Sequence, residues 1–291
     1  MTRWSRRMGI VVLALVEVLV LTAGVLVAGA STFAVPLDHD GPYVLLVLGS
    51  DEGPPRSGDA LHGRADGFHL LVVSEDRVHV SIVSFPRDTW TDVPGFGRSK
   101  INASLTGGPE RAVATAEAIS GLVVDDWIVT NFHGFMSAVE DLGGVNVDVE
   151  QRLYDPRGAD SDLQPGEQLL NGYDALSYVR DRHSRPRGDL DRAESHGRFL
   201  QALHAQLVAE APGAGRITEL IALLDRTTAT SIPLPRLFSL AVLAMRIDPA
   251  NVQRERLDAN TGTAGSQSVV RLTDSAHRVL ADLSDGLLGN E

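Results

Sequence analysis

The stretch Tyr43-Val44-Leu45-Leu46-Val47-Leu48-Gly49-Ser50-Asp51 decides the fold that this sequence predicts. Its first six residues are all apolar. The run is too short for a helix and rich in branched side chains, which is typical of a central strand buried on both faces. Gly49 and Ser50 end the run, and Asp51 follows the carboxyl end of the strand, where open α/β sheets bind their ligands. The stretch therefore predicts an α/β protein with a candidate site beside Asp51.

Two further predicted strands bring charged residues to similar positions. Arg64-Ala65-Asp66 leads into a second strand at residues 68–73, and a third strand at residues 78–85 ends in Pro86-Arg87-Asp88. Three elements thus carry Asp51, Asp66 and Arg87 to loop positions. We expect these three side chains to converge at one edge of the sheet.

The rest of the sequence alternates strands and helices without a break. No linker rich in Pro, Gly and Ser divides residues 41 to 285, so we predict one α/β domain at residues 41–288. Residues 154–164 are polar and contain Pro156 and Gly158. Asn171 is a suitable N-cap for a helix at residues 173–179. Further strands are predicted at residues 127–132, 145–149, 254–257 and 268–272, and further helices at residues 109–121, 135–142, 192–209, 217–224, 233–245 and 276–283.

The longest charged stretch, residues 178–192, contains five arginines and three aspartates in a protein of net charge -12. Arginine offers phosphate oxygens a planar fork of donors and keeps its charge at any working pH. Because residues two apart on a helix point to different faces, Arg180 and Arg182 reach one ligand only if the helix ends near them. A proline and a glycine further on favour such an end. The alternative is a solvated loop of mixed charge, which we expect of Arg185 and Arg187.

Composition excludes several classes of protein. The hydrophobic content of 43% over 291 residues suits a globular protein and not a disordered one. The net charge of -12 argues against nucleic acid as a partner. The absence of cysteine excludes disulfides, thiol catalysis and cysteine-ligated metals.

The N-terminal residues predict a membrane anchor. Three arginines among the first seven residues precede an apolar run at residues 8–30, whose length suits one transmembrane helix. Basic residues before the run and none just after it place the N-terminus in the cytoplasm and the following domain outside the cell membrane. Residues 1–30 are thus expected to form a basic tip and anchor, and residues 31–40 a tether. A cleaved signal peptide, ending at the small residues Ala28-Gly29-Ala30, is the alternative.

Short motifs follow one another along the chain in a distinctive order. They are Gly49-Ser50-Asp51, Arg64-Ala65-Asp66, Val83-Ser84-Phe85-Pro86-Arg87-Asp88, Lys100-Ile101-Asn102, Asn131-Phe132-His133-Gly134-Phe135, Asp141-Leu142-Gly143-Gly144-Val145, Tyr178-Val179-Arg180-Asp181-Arg182-His183 and Gly188-Asp189-Leu190-Asp191-Arg192. Taken together, this ordered set resembles the LytR-CpsA-Psr family of bacterial cell-envelope proteins. The resemblance covers roughly residues 43 to 210.

The resemblance implies a fold and an activity. The expected fold is an α-β-α sandwich around a central mixed β-sheet, with a long apolar pocket for a lipid tail. The expected activity is that of a phosphotransferase, which moves an anionic cell-wall glycopolymer of the teichoic acid, capsule or arabinogalactan type. The donor would be a polyprenyl-pyrophosphate carrier, and the acceptor would be a hydroxyl of peptidoglycan.

The resemblance also assigns roles to residues. Asp51 and Asp66 match the family's metal-binding aspartates, and Mg²⁺ (or Mn²⁺) held by one or two carboxylates leaves its other positions to phosphate and water. Arginines at family positions would clamp the pyrophosphate and steady the charge that develops on the leaving group. Asp189 and Asp51 are both candidates for the general base. The predicted catalytic residues are Arg87, Arg180, Arg182, Arg192 and Asp189, and the predicted substrate-binding residues are Arg64, Lys100, Gln168 and His196.

Some of these assignments have alternatives. Lys100 could simply face water, and Gln168 could bond only to backbone. The chain also departs from the family pattern at Ser195, His196 and Gly197, where His196 aligns with a glutamine that contacts substrate in relatives. Two other functions therefore stay open: a hydrolase that uses water as the acceptor, and a non-catalytic lipid-binding or regulatory envelope protein.

Overall fold

The computed structural model describes residues 40–52 and 61–283. These residues form an α/β fold around a mixed sheet, as the sequence predicts. The predicted transmembrane helix at residues 8–30 lies outside the described ranges. Among the described residues, no helix has both the length and the apolar character needed to cross a membrane.

The strands and helices of the described residues follow one another along the chain. The strands are β1 (Tyr43–Ser50), β2 (Ala65–Val73), β3 (Val80–Ser84), β4 (Trp90–Val93), β5 (Gly97–Lys100), β6 (Asp126–Asn131), β7 (Val145–Val149), β8 (Leu153–Asp155), β9 (Ser161–Leu163), β10 (Gly166–Leu170), β11 (Thr228–Thr230), β12 (Val252–Arg256), β13 (Ala259–Ala264) and β14 (Gln267–Leu272). The α-helices are α1 (Pro109–Ser120), α2 (Phe132–Asp141), α3 (Gly172–Arg180), α4 (Asp189–Ala209), α5 (Ala214–Thr227), α6 (Leu234–Ala244) and α7 (Asp274–Asp282). Two 3₁₀ helices, Ile101–Gly107 and Pro249–Asn251, follow β5 and precede β12.

The central sheet has six strands in the order β11-β6-β1-β2-β3-β12. The predicted central strand is confirmed, because β1 lies inside the sheet, parallel to β6 and antiparallel to β2. β3 is antiparallel to β2 and parallel to β12, so the sheet is mixed. Its two edge strands are short, since β11 has three residues and β12 has five. β12 also carries the charged sequence Arg254-Glu255-Arg256.

Helices cover both faces of the sheet because side chains alternate along each strand. Val44, Leu46 and Leu48 of β1 are buried in a cluster with residues of α1 and α7. Tyr43 and Leu45 point to the opposite face and pack with residues of α4 and α6. This arrangement of layers is the sandwich that the family resemblance implies.

A second hydrophobic cluster lies beside the main sheet. β7 pairs with β10 and β8 pairs with β9, and their buried side chains pack with α2, α3 and α4. Tyr178 of α3 has only 1% or less of its surface exposed, and burial, with Glu150 nearby, raises the pKa of its phenol. This packing fixes the carboxyl end of α3, which is where Arg180 lies.

Asparagine side chains cap the amino ends of two helices, α2 and α3. The side chain of Asn171 accepts a hydrogen bond from the backbone of Asp174 at 2.9 Å, which confirms the predicted N-cap of α3. α2 begins at Phe132, earlier than predicted, because Asn131 caps it through the backbone of Gly134 at 2.8 Å.

In the later part of the chain, one helix start was predicted wrongly and two strands were not predicted. The strands β8 and β9 pair with each other across the polar residues 154–164 and bury Leu153 and Leu163. The long helix α4 begins at Asp189 and not at Arg192. The acidic side chains in its first turn favour the positive end of the helix dipole.

The expectation that Arg185 is solvated is also wrong. Only 7% of its surface is exposed, and its guanidinium lies over the ring of Tyr178 with 5.2 Å between its carbon and the ring centroid. Its Nη1 lies 3.8 Å from Glu150. Arg187, in contrast, is 41% exposed at its side chain and pairs with Asp191 and Glu194.

Candidate active site

The carboxyl ends of β1 and β3 and the amino end of β2 lie side by side at one end of the central sheet. β1 and β2 are antiparallel, with Ser50 paired to Ala65 and Gly49 paired to Gly67, so that Asp66 lies at an irregularity in the register. Asp51, just beyond β1, exchanges two hydrogen bonds with Arg64: its backbone donates to the Arg64 carbonyl at 3.0 Å, and its carboxylate accepts from the Arg64 backbone at 2.7 Å. The loop after β3 brings Arg87 to Asp66 at 2.6 Å.

Four charged side chains then form what we call the arginine–aspartate cluster: Asp66, Arg87, Asp189 and Arg192. Arg87 Nη1 lies 2.6 Å from Asp66, and its Nε lies 4.0 Å from Asp189. Asp189 in turn lies 2.5 Å from Arg192 Nη2, one turn further along α4. The loop after β3 and the start of α4, which are about a hundred residues apart in sequence, are thereby joined by alternating charges.

Burial and charge act in opposite directions on the two arginines of the cluster. Burial works against the charge of Arg87, but Asp66, Asp189 and Asp88 outweigh it and raise the pKa of the guanidinium. Arg192 is only 4% exposed, and burial lowers its pKa although Asp189 opposes that effect. The Nε atoms of Arg87 and Arg192 are both buried without a hydrogen-bond acceptor among the described residues. Buried donors of this kind usually have acceptors, so the cluster is suited to receive one from a ligand.

An apolar pocket opens beside the cluster, between the sheet and the helices α2, α3 and α4. Its volume is about 130 Å³. Three of its lining residues are charged, Asp66, Arg180 and Arg192, and we call these three the rim; most of the remaining lining is apolar. A ligand with an anionic head and a hydrocarbon tail matches both parts. The apolar side chains of the wall are Val47, Leu48, Phe132, Phe135, Leu176, Val179, Phe199 and Leu200.

The remaining predicted residues are placed differently. Arg180 ends α3 at the pocket, with its guanidinium carbon 4.7 Å from the centroid of the Phe132 ring. Arg182 is exposed and is not among the side chains that line the pocket. Arg64 is also exposed and lines a separate shallow cleft. Lys100 pairs with Asp88 at 3.0 Å, at the margin of the cluster.

Gln168 lies in β10, away from the cluster. It pairs with Val147 of β7, and its side chain donates to the backbone carbonyl of Gln164. The alternative considered for this residue, a bond to backbone, is therefore present in the structure.

His196 lines the pocket with a partner that the sequence did not reveal, His69 of β2. The two rings meet at 3.0 Å between His69 Nε2 and His196 Nδ1. Burial lowers the pKa of His69 well below its usual value, and burial together with Arg192 lowers the pKa of His196 to about 3. A histidine in an otherwise apolar strand, three residues after Asp66, was the available signal. Asn131 and Phe132 were also missed as pocket residues, although their motif was recognised.

Asp51 and Asp66 are the residues that would hold the expected Mg²⁺ (or Mn²⁺). Asp51 follows β1, Asp66 is the second residue of the neighbouring antiparallel strand β2, and each has one carboxylate oxygen bonded within the site. The other oxygen of each is the one that would meet a cation. Among the described residues, no three His, Cys, Asp or Glu side chains gather as a metal cage. Mg²⁺ does not need one, because it keeps several waters and takes its other ligands from phosphate.

Comparison with known proteins decides the family. Residues 26–283 match the LytR_cpsA_psr family, which is most of the chain. The chain belongs to this family. The assignment made from the ordered motifs is therefore confirmed, and the match extends well beyond residue 210, through α5, α6 and the last strands to α7.

Two curated members of the LytR_cpsA_psr family are similar in sequence. The probable cell wall biosynthesis protein LcpB of Corynebacterium glutamicum is 34% identical over 178 residues, which cover 58% of this chain and 42% of LcpB. The polyisoprenyl-teichoic acid–peptidoglycan teichoic acid transferase TagU of Oceanobacillus iheyensis is 32% identical over 206 residues, which cover 67% of this chain and 61% of TagU. The chain thus spans about half the length of the curated relatives that it matches.

A solved structure of the LytR_cpsA_psr family has the same fold. TagT bound to LIIa-WTA superposes with a TM-score of 0.69 at 21% identity, and the alignment covers 87% of this chain and 95% of TagT. At that identity the likeness shows the fold alone. The fold therefore agrees with the family assignment, while the roles of single residues depend on the geometry described above.

Proposed function

We propose that this protein is a phosphotransferase that attaches an anionic cell-wall glycopolymer, carried on polyprenyl pyrophosphate, to peptidoglycan. The observation that carries the proposal is the junction of an apolar pocket with a rim of Asp66, Arg180 and Arg192. The similarity to TagU, a teichoic acid transferase, supports the same reaction class, and the similarity to LcpB, a probable cell wall biosynthesis protein, supports a role in the cell wall.

The pocket and its rim fit the two halves of such a donor. The lipid chain would lie among the aromatic and aliphatic side chains of the wall, where burial of each CH₂ group contributes about 0.8 kcal/mol. The pyrophosphate would then lie at the rim, within reach of the guanidinium groups of Arg180 and Arg192. Arginine binds phosphate oxygens through paired donors, which fixes the orientation of the phosphorus atoms.

In the proposed reaction, a hydroxyl oxygen of the acceptor attacks the phosphorus that carries the glycopolymer. A new P–O bond forms, the bond from this phosphorus to the bridging oxygen breaks, and polyprenyl monophosphate leaves. The arginines of the cluster stabilise the negative charge that develops on the leaving phosphate. Removing one such donor typically costs about 10²–10³ in rate.

Two carboxylates can accept the proton of the attacking hydroxyl. Asp189 is held by Arg192 at 2.5 Å within the cluster. Asp51 is held by the backbone of Arg64 at 2.7 Å at the neighbouring strand end. A general base must lie within hydrogen-bond reach of the proton, so the position of the acceptor decides between them.

A divalent cation is part of the proposal. Mg²⁺ (or Mn²⁺) would be held by Asp51 and Asp66, and when bound it would neutralise pyrophosphate charge. The arginine that pairs with Asp66, Arg87, would keep that carboxylate oriented toward the rim.

We further propose that the protein acts outside the cytoplasmic membrane. The predicted anchor at residues 8–30 and the basic residues before it support this topology. A polyprenyl carrier is confined to the membrane, so an anchored enzyme would meet its donor there.

A transfer assay with the full chain tests the proposal. The protein is incubated with a polyprenyl-pyrophosphoryl oligosaccharide and peptidoglycan fragments, with and without Mg²⁺, and products are followed by mass spectrometry. We expect a glycan–peptidoglycan phosphodiester that requires Mg²⁺ and disappears in Asp66→Asn. The matched control is Asp141→Asn, because Asp141 also pairs with an arginine, Arg226 at 3.0 Å, but on an exposed surface.

The other possible outcomes of the transfer assay each contradict the phosphotransferase proposal or one of its residue assignments. Free glycan phosphate without adduct would indicate that water is the acceptor and the protein a hydrolase. Retained lipid with no product would indicate the binding or regulatory protein. Equal activity of the Asp66→Asn and Asp141→Asn variants would remove Asp66 from the reaction.

A further inference from the structure

A chain of hydrogen bonds runs beneath the rim of the pocket. It links Ser84 Oγ to His69 Nδ1 at 3.0 Å, His69 Nε2 to His196 Nδ1 at 3.0 Å, and His196 Nε2 to the carbonyl of Val179 at 2.5 Å. We propose that His69 and His196 are positioning residues, whose hydrogen-bond chain aligns the arginine–aspartate cluster with Arg180 so that both meet one diphosphate. The diphosphate in this inference rests on the proposed function, whereas the alignment itself does not.

The direction of every bond in the chain follows from its last acceptor. A backbone carbonyl only accepts, so His196 Nε2 carries the hydrogen and, in the neutral ring, His196 Nδ1 accepts. His69 Nε2 must then donate, which leaves His69 Nδ1 to accept from the Ser84 hydroxyl. Each ring is thus fixed in one tautomer, and both of its nitrogens are occupied.

Each link of the chain lies close to a residue of the site. Ser84 precedes Arg87 by three residues, and His69 follows Asp66 by three residues. His196 lies one helical turn after Arg192, on the same side of α4. Val179 is the neighbour of Arg180. The chain therefore fastens β3, β2, α4 and α3 to one another next to the charged residue that each of them supplies.

The bond to Val179 acts at the end of a helix. α3 ends at Arg180, and the last four carbonyls of a helix have no partner within it. His196 satisfies one of them and so determines where the last turn of α3 lies relative to α4. Without this bond, Arg180 would be held by its contact with the Phe132 ring and by ordinary packing.

Two glycines leave room for the hydrogen-bond chain, because a side chain at either position would crowd its atoms. A Cβ atom at Gly67 would lie 3.1 Å from His69 Nε2 and 3.4 Å from His196 Nδ1. A Cβ atom at Gly197 would lie 3.3 Å from the Ser84 hydroxyl oxygen. These close distances, to the central link between the two histidines and to the Ser84 end of the hydrogen-bond chain, indicate that the backbone around the two histidines is shaped to accommodate these bonds. The sequence departures at His196 and Gly197 are thereby explained as parts of one arrangement.

The low pKa values of the pair agree with this role. Burial, reinforced by Arg192, keeps His196 neutral down to a pH of about 3, and burial also keeps His69 neutral. The tautomers that the chain needs are therefore stable throughout the physiological range. Neither ring is expected to add an inflection to a pH–rate profile near pH 6.5.

The protein contains a matched control for testing the proposal, outside the hydrogen-bond chain. His204 lies on the same helix, two turns after His196, and its Nε2 bonds to the carbonyl of Ala244 at 2.9 Å, at the last residue of α6. The bond type is the same, but it ends on α6, which contributes no residue to the lining of the pocket. We would compare His196→Leu, His69→Leu and His204→Leu with His196→Gln, whose amide can donate to a carbonyl and accept from His69.

The first measurement needs no substrate. Arginine side chains of the full chain are labelled with ¹⁵N, and the mobility of the Nε–H groups of Arg180 and Arg192 is followed by NMR. We expect both to be rigid in the wild type, in His196→Gln and in His204→Leu, and mobile in His196→Leu and His69→Leu. If all variants leave both arginines as rigid as in the wild type, the proposal is wrong.

The second measurement is turnover in the transfer assay. His196→Leu should lower it between about tenfold and 100-fold, since misplacement by 1 Å can cost about 10² in rate. His196→Gln should restore it to within about threefold, and His204→Leu should change it by less than that even if both leucine variants lower Tm equally. Equal losses in His196→Leu and His204→Leu would show a general effect on stability and would overturn the proposal.

Combining the two measurements separates this proposal from the proposed function. If His196→Leu frees the arginines but the wild type transfers nothing, the positioning role stands and the phosphotransferase fails. If turnover falls while the arginines stay rigid, His196 contacts substrate directly and the positioning role fails. A double variant that combines His196→Leu with Arg180→Ala adds a further check. If the two residues act together, the loss of turnover in the double variant is smaller, in free energy, than the sum of the two single losses.

Discussion

The two faces of β1 are built from similar residues but serve different purposes. Leu46 has none of its surface exposed and lies in the cluster closed by α1 and α7. Val47, the next residue, points to the other face and lines the pocket. The wall of the pocket on that face also includes polar side chains, among them Arg192 and His196. We therefore expect substitutions on the face covered by α1 and α7 to affect mainly stability, and substitutions in the pocket wall to affect mainly ligand binding.

The largest effect on stability is expected from a substitution on the face of β1 that α1 and α7 cover. Leu46→Ala should lower the free energy of unfolding by about 2–5 kcal/mol, because it removes buried methylene groups and leaves a cavity. Denaturant titration measures the loss. Val47→Ala should cost less, because its side chain borders an existing opening. Equal losses from the two variants would contradict the division between the faces.

Filling the pocket should affect binding more than stability. Val47→Phe adds a ring to the wall and should weaken binding of a short polyprenyl phosphate by about tenfold, which corresponds to displacing roughly two CH₂ groups. Calorimetric titration of the full chain gives the affinity. Val78→Phe is the control, because Val78 is 43% exposed and lies outside the pocket wall. If both variants bind as the wild type does, the lipid lies elsewhere.

The histidines of the pocket face should make the fold sensitive to acid. His196 has a pKa of about 3 in the folded state, below the usual 6.5, so the unfolded chain binds a proton that the folded chain does not. Stability is therefore complete above pH 6.5 and falls as the pH is lowered toward 3, by about 1.4 kcal/mol per pH unit for this one proton. His196→Gln removes the contribution, and denaturant titrations at several pH values measure the slope. An unchanged slope in this variant would show that other groups cause the acid sensitivity.

Residues whose structure depends on local pattern were predicted well from the sequence. β1 follows from six consecutive apolar residues, and the start of α3 follows from the capping side chain of Asn171. The meeting of Asp66 with Arg87 also follows, because β2 and β3 are antiparallel neighbours, so the start of β2 lies beside the end of β3. These features need only the nearest elements and the rules of sheet geometry.

Residues whose environment comes from distant elements were not predicted. Arg185 is buried because Tyr178 and Glu150 lie against it, and nothing in its own polar segment indicates those contacts. His69 and His196 are 127 positions apart, so a single sequence does not reveal that they touch. The roles of the predicted site residues likewise depend on where a ligand lies, and they remain predictions for the assays described above.

The short edges of the central sheet have a consequence for the behaviour of the protein in concentrated solution. An exposed edge strand can pair with the edge of another molecule and start an aggregate. β11 offers only three residues for such pairing, and β12 presents Arg254, Glu255 and Arg256, whose charges must find partners in any added strand. The sheet is therefore protected at both sides against growth into fibrils, and replacing the β12 charges by valine is expected to make the protein prone to aggregate.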